Sequence, residues 1–383
     1  RRSRSGCMPN VLLLGLVIGL LVTGWDWIER QFINPPSSTI SGDLRSAYGA
    51  FDRGDLNTAV GLARQVWETN PNRSDALILL VRSLVYRSYS DYDRDVDREI
   101  ALQYTATAYE HSPDDFDVMV AHAFALQANL QPVPAVDLLN SVLQNRPDDT
   151  FARVVLGLTY GVAGGYETAL QINQSIPMSD EWALDIYRAQ AIHYGDLGRY
   201  DEALDTVNLA LQENTRLLTL YFERAQYARL IGDADSATAA YFRVIAFDPG
   251  NVKARLRMCE MSSRLREINN ALDYCSQVTQ QAPRYPEGWF QLGWEYYLEG
   301  EYELAQQSFN RCTSLQVIQG VPIANRRFEC WYYQGQVAEI LGDCDALLHT
   351  YTEFLNMAAQ ANLEQTWIYP PEGPAICAGV ASP

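Results

Sequence analysis

Residues 286–309 read PEGWFQLGWEYYLEGEYELAQQSF. Leu292, Gly293 and Tyr296 follow Trp289 at intervals of a helical face, Gly300 interrupts the run, and Tyr302, Ala305 and Phe309 resume it. Two apolar helical stripes parted by a glycine describe a helix hairpin. Small residues at Gly293 and Ala305 let the two helices approach closely, aromatic side chains fill the space toward a neighbour, and the glycine ends the first helix.

The pattern recurs every 34 residues. Pro113 and Pro147 are 34 apart, as are Pro249 and Pro283. Gly164, Gly198, Gly232 and Gly300 stand on one comb, with Arg266 in the missing tooth. Gly157, Tyr160, Gly164, Tyr166 and Ala169 repeat the signature; so do Ala191, Tyr194, Gly198, Tyr200, Ala203 and Ala210, then Ala225, Gly232, Ala237, Tyr241 and Pro249. These copies resemble the tetratricopeptide repeat, which implies an all-α superhelical solenoid of helix-turn-helix units, helix A then helix B, stacked around a continuous core. Proline near the end of helix B, as at Pro113, Pro147, Pro249 and Pro283, stops it before the next unit.

Extending the comb gives nine repeats over 40–361: 40–73, 74–115, 116–149, 150–183, 184–217, 218–251, 252–285, 286–327 and 328–361. Seven have 34 residues and two have 42. The extra residues fall around Tyr86 to Asp97 (YRSYSDYDRDVD) in the second unit and around Thr313 to Arg326 in the eighth. The third unit departs from the pattern, with Leu130 at its turn and Pro132 and Pro134 after it, and the second has Val81 where a small residue is expected; looser packing is expected in both.

The 383-residue chain carries a formal charge of −18, with 29 Lys+Arg against 47 Asp+Glu. That balance, without a basic cluster, argues against nucleic acid as a partner. Lys253 is the only lysine, and the reliance on arginine reads as a composition bias. Residues 11–24 (VLLLGLVIGLLVTG) contain no charge, Arg1, Arg2 and Arg4 precede them, and Trp25, Asp26, Trp27 and Glu29 follow. Counted from Met8 to Ile28 the stretch is long enough to span ~30 Å of hydrocarbon. The expected layout is a cytoplasmic N-terminus over 1–10, a transmembrane anchor over 11–30 that meets lipid through residues 11–28, a linker over 31–39, and a tail over 362–383. The basic flank places the repeats on the extracytoplasmic, periplasmic side of a bacterial inner membrane. A cleaved signal peptide ending near Val22-Thr23-Gly24 is the competing reading.

Six of the seven cysteines lie between 259 and 377, which suggests disulfides in an oxidising compartment. Carried onto the repeat, Cys259 and Cys275 stand where facing helices of one unit touch and are expected to bond. Cys312 and Cys330 flank the eighth unit's insertion, which leaves Cys344 with Cys377 to fix the tail. Buried free thiols are the alternative.

Signs of catalysis or of a cofactor are absent. His111, His122, His193 and His349 are scattered, Gly164-Gly165 lacks the residues of a phosphate loop, and no Cys/His spacing suits zinc. Asp91 to Asp97 lacks the glycine and terminal glutamate of a calcium loop and reads as a solvated loop. In the family resembled here, the second, fifth, ninth, twelfth and thirteenth positions of helix A line a concave groove. This implies Arg188, Phe222, Gln226, Arg229, Phe290, Trp294, Tyr297 and Tyr332 as partner-binding residues, and aromatics with arginines are what binding hot spots use. Some of these aromatics could instead pack against the inserted loop or the tail. The expected function is a non-catalytic, single-pass scaffold that assembles or stabilises other protein subunits of a membrane complex. The alternatives are a free tethered adaptor for a soluble peptide or envelope polymer, an accessory factor of an envelope enzyme, and a cytoplasmic array of inverse topology.

Overall fold

Short acidic and amide side chains write the helix starts. Asp55, Asp115, Asp149, Asp233, Asn251 and Asp343 each accept a hydrogen bond from a backbone N–H of the first helical turn. The computed structural model describes residues 44–179, 181–364 and 367–378. The expected cytoplasmic segment, anchor and linker lie outside the described residues, and among those described no helix is long and apolar enough to cross a membrane.

Eighteen α-helices are described, with no strand among the described residues. They follow one another as antiparallel pairs: α1 (Leu44–Asp52) with α2 (Leu56–Thr69), α3 (Ser74–Ser88) with α4 (Val96–His111), α5 (Phe116–Ala128) with α6 (Pro132–Asn145), α7 (Thr150–Val162) with α8 (Tyr166–Gln174), and α9 (Ala183–Asp196) with α10 (Tyr200–Glu213). The series continues as α11 (Leu218–Ile231) with α12 (Ala234–Phe247), α13 (Val252–Arg264) with α14 (Ile268–Gln281), α15 (Pro286–Glu299) with α16 (Tyr302–Ile318), and α17 (Glu329–Leu341) with α18 (Cys344–Gln360).

In every unit but the second, where the insertion replaces the tight turn, the comb position is a left-handed turn whatever residue occupies it. Gly300 has φ 79°, and Arg266 and Leu130 are held at 59° and 58°. A side chain there costs roughly 1–2 kcal/mol, so the 34-residue geometry overrides the residue in both units. The third unit keeps its close packing: Ala123 and Ala135 have no exposed surface, and Pro132 takes the first turn of α6, where no backbone N–H is needed. The small positions are needed sterically, because a Cβ on Gly293 would lie 2.9 Å from Phe309 Cε1.

Curvature brings the first two units onto the inner face of units five to seven. Asn214 Nδ2 donates to the Phe51 carbonyl at 3.0 Å, and Thr219 Oγ1 to the Tyr86 carbonyl at 2.6 Å. Arg82 pairs bidentately with Asp185, which also accepts from Tyr86 Oη at 3.1 Å; all three side chains are buried. The guanidinium lies 4.3 Å from the Phe51 ring centre. The inserted segment of unit two, expected to be a solvated loop, instead runs across this inner face. Asp91 Oδ1 accepts from the Lys253 backbone N–H at 2.9 Å, and buried Asp97 is paired with Arg87 at 2.7 Å. Asp91 is used for closure because the superhelix presents a donor to it, which no local pattern shows, whereas Asp93 and Asp95 remain exposed.

Candidate protein-binding groove

Helical spacing puts Phe222, Gln226 and Arg229 of α11 in one row and Lys253, Arg257, Glu260 and Arg264 of α13 in another, and both rows line the inside of the curve. Between them opens a cavity of about 290 Å³ lined by Phe222, Gln226 and Arg229 of α11, by Lys253, Arg257, Glu260 and Arg264 of α13, and by Tyr89 from the inserted loop. Arg257 is paired with Glu260 at 2.7 Å, and Glu223 at the cavity wall with Arg188 at 2.7 Å. Arg229 and Arg264 are exposed and have no ion-pair partner among the described residues. The wall therefore carries an excess of positive charge on a chain of charge −18. Burial, then the neighbouring Arg257, lowers Lys253 to about 8, with Asp95, Asp91 and Glu223 opposing the shift. Its ammonium donates to the Tyr89 carbonyl at 2.6 Å and lies 4.5 Å from the Phe222 ring centre.

The residues implied by the repeat are distributed unevenly. Gln226 and Arg229 face the cavity and are exposed. Phe222 is buried beneath Lys253. Arg188 is buried, committed to Glu223 and stacked 4.6 Å from the Tyr86 ring centre, so in this arrangement it is spent on closure. Phe290 is buried, with Arg327 3.7 Å above its ring centre. Trp294 and Tyr297 remain half-buried and form an aromatic patch with Tyr333, at ring separations of 5.0 to 5.8 Å. Tyr332 is covered by the tail: buried Trp367 meets it at 5.5 Å and also packs on Tyr351, Phe354 and Tyr369. Tyr332 thus belongs to the C-terminal cap.

Lys253, Glu260 and Arg264 were not among the implied residues, although they hold the second, ninth and thirteenth positions of unit seven, the same rule that gave Gln226 and Arg229. The only lysine of the chain was a further signal. A second cavity, of about 630 Å³, adjoins the first through Arg257. Both insertions line it, the second unit's with Tyr92 and Asp93 and the eighth unit's with Val321 and Asn325, beside Arg284 and Tyr285.

The structure brings the six cysteines into three close pairs. Cys259 and Cys275 are in disulfide contact with Cα atoms 5.4 Å apart, Cys312 and Cys330 at 6.0 Å, and Cys344 and Cys377 at 5.4 Å. Buried Glu295 stands beside the first pair, with one carboxylate oxygen within 4.8 Å of both sulfurs. Burial raises the pKa of that carboxyl, and Gln291 donates to it at 2.9 Å.

Residues 286–316 match the model of the tetratricopeptide repeat family. The matched residues are α15 and most of α16, the stretch with the clearest signature, and the eighteen helices form a solenoid of tetratricopeptide type. Among solved structures, the APC/C hetero-tetramer Cut9–Hcn1 is similar with a TM-score of 0.58 and 11% identity, over 79% of this chain and 57% of that one. The C-terminal part of a tetratricopeptide repeat-containing protein from Cytophaga hutchinsonii is similar at 0.50 and 13% identity, over 63% and 95%. These likenesses are of fold alone, and the present chain spans little more than half of the Cut9–Hcn1 chain it matches. No curated protein matches the sequence.

Proposed function

We propose that this chain is a non-catalytic scaffold that holds an acidic segment of a partner protein on its concave face. The observation that carries the reading is the pair of exposed arginines, Arg229 and Arg264, without carboxylate partners among the described residues, at one cavity of an acid-rich chain. Charge-assisted hydrogen bonds contribute about 1.5–3 kcal/mol each. A fluorescent Asp/Glu-rich dodecapeptide should bind by anisotropy, a lysine-rich one should not, and the double change Arg229→Glu with Arg264→Glu should weaken the acidic peptide at least tenfold. Unchanged affinity in that variant would sink the groove assignment.

Lys253 gives the same site a pH signature. Below about pH 8 its ammonium is charged and adds to the field on the ligand. Affinity for the acidic peptide should therefore fall as pH rises through about 8, and Lys253→Arg should flatten the profile between pH 7 and 9. The folding term has the opposite sign. Because the folded pKa is depressed, the ammonium costs stability at low pH, and that cost fades as pH rises from about 8 toward the ordinary 10.5.

We further place the repeats on the periplasmic side of a bacterial inner membrane, held by residues 11–28 as one subunit of a membrane complex. The uncharged run behind Arg1, Arg2 and Arg4 supports an anchor, and three cysteine pairs in disulfide contact support an oxidising side. Thiol mapping in intact cells tests this: three disulfides are expected, and six free thiols would contradict it.

A further inference from the structure

The segment Tyr89–Asp93 is a peptide already seated in the concave face. Asn251 Nδ2 donates to the Ser90 carbonyl at 2.9 Å, the Lys253 ammonium to the Tyr89 carbonyl at 2.6 Å, and the Lys253 backbone N–H to the Asp91 carboxylate at 2.9 Å. Arg188 stands 5.4 Å over the Tyr89 ring. The Tyr92 ring lies 4.4 Å from that of Tyr285, on an apolar patch of Val252, Leu256, Val278 and Ala282. Two backbone carbonyls, one carboxylate and two aromatic rings are thus held by units five to seven, the carboxylate by a backbone N–H and the others by side chains. These are the elements by which a groove recognises an extended peptide, main-chain contacts for affinity and pockets for selected side chains.

The seated segment also divides the site. Tyr89 lines the smaller cavity, Tyr92 and Asp93 line the larger one, and Arg257 borders both. With the segment lifted away, the two cavities would join into a trough running from Arg229 past Arg257 to Arg284. The eight-residue insertion is what gives the chain enough length to reach across the curve, since the 34-residue units turn directly from helix A to helix B.

We propose that the second-unit insertion is a tethered ligand of this groove, and that the external partner is an extended segment of the same chemistry, an acidic residue next to a tyrosine, which displaces it. The proposal rests on the reading that the groove takes an acidic segment, and it names the segment and what holds the site closed. Tethering gives the internal segment an effective concentration of order millimolar, so an external copy competes poorly until the tether's own contacts are weakened.

The test uses the full chain and a synthetic peptide of the sequence YRSYSDYDRDVD, which is residues 86–97. The double change Asp91→Ser with Tyr92→Ser should let this peptide bind at least tenfold more tightly than to the parent, while a scrambled peptide gains nothing. Equal binding to both proteins, or binding to neither, would overturn the tethered-ligand proposal. If the Asp/Glu-rich dodecapeptide still binds the parent and loses affinity in the Arg229→Glu, Arg264→Glu variant, the groove reading survives that failure. If the Ser variant does not fold, hydrogen exchange on the unaltered chain decides. Saturating acidic dodecapeptide should speed exchange at residues 89–93, and unchanged protection there would overturn the proposal.

Discussion

Asp185→Ala is expected to destabilise the fold by about 3–5 kcal/mol, the cost of leaving a buried charge without its partner. Arg82 and Asp185 are both buried, come from the second and fifth units, and form a bidentate pair with Tyr86 Oη as a third member. Removing the carboxylate strands the guanidinium beneath Phe51 and Trp182, whose rings offset only part of its desolvation. The pair itself need not be a large net stabiliser, so Arg82→Met combined with Asp185→Leu should recover most of the loss. Urea denaturation followed by circular dichroism measures both. A cost below about 1 kcal/mol for Asp185→Ala would mean that contact between the second and fifth units contributes little to the fold.

Trp367→Ala should have an effect of similar size, about 3–5 kcal/mol for truncating a large buried aromatic, confined to the last unit. The indole is sandwiched by Tyr332, Tyr351, Phe354 and Tyr369 and lies directly over Gly335, where even one methyl group would collide with it. It does for the ninth pair what a tenth repeat would do, covering the apolar end of α17 and α18, and the Cys344–Cys377 contact holds the tail in place. Limited proteolysis should then cut α17 and α18 in the variant while α1 to α14 stay protected. A variant with parent-like proteolysis would show that the tail is not a cap.

The repeat was legible because its information is local. Thirty-four residues fix one hairpin, and the comb of glycines survives the substitutions at Leu130 and Arg266, where the backbone takes the same left-handed turn. The Cys259–Cys275 contact is local in the same sense, since both residues lie in one unit, whereas Cys377 lies in the tail outside the repeat. The use of the concave face was not legible. Which inner side chains remain open depends on superhelical curvature, the sum of small rotations between units, and that sum brings Arg82 to Asp185 and Ser90 to Asn251. Arg188 and Tyr332 were thus indistinguishable in sequence from Gln226 and Arg229, although the first pair is used within the chain and the second lines the cavity. The loop Asp91 to Asp97 looked solvated because Asp91 meets the Lys253 backbone N–H, and Asp97 the Arg87 side chain, only in three dimensions.

Binding of an acidic segment on the concave face between α11 and α13 can be read out by photo-cross-linking. With a benzophenone amino acid at Gln226, and separately at Phe242, which is exposed on α12 outside the cavity, the labelled Asp/Glu-rich dodecapeptide is added and irradiated. Cross-linking from position 226, competed by unlabelled peptide and absent from position 242, is the predicted result. Equal yields from both positions, or a product from 242 alone, would contradict it.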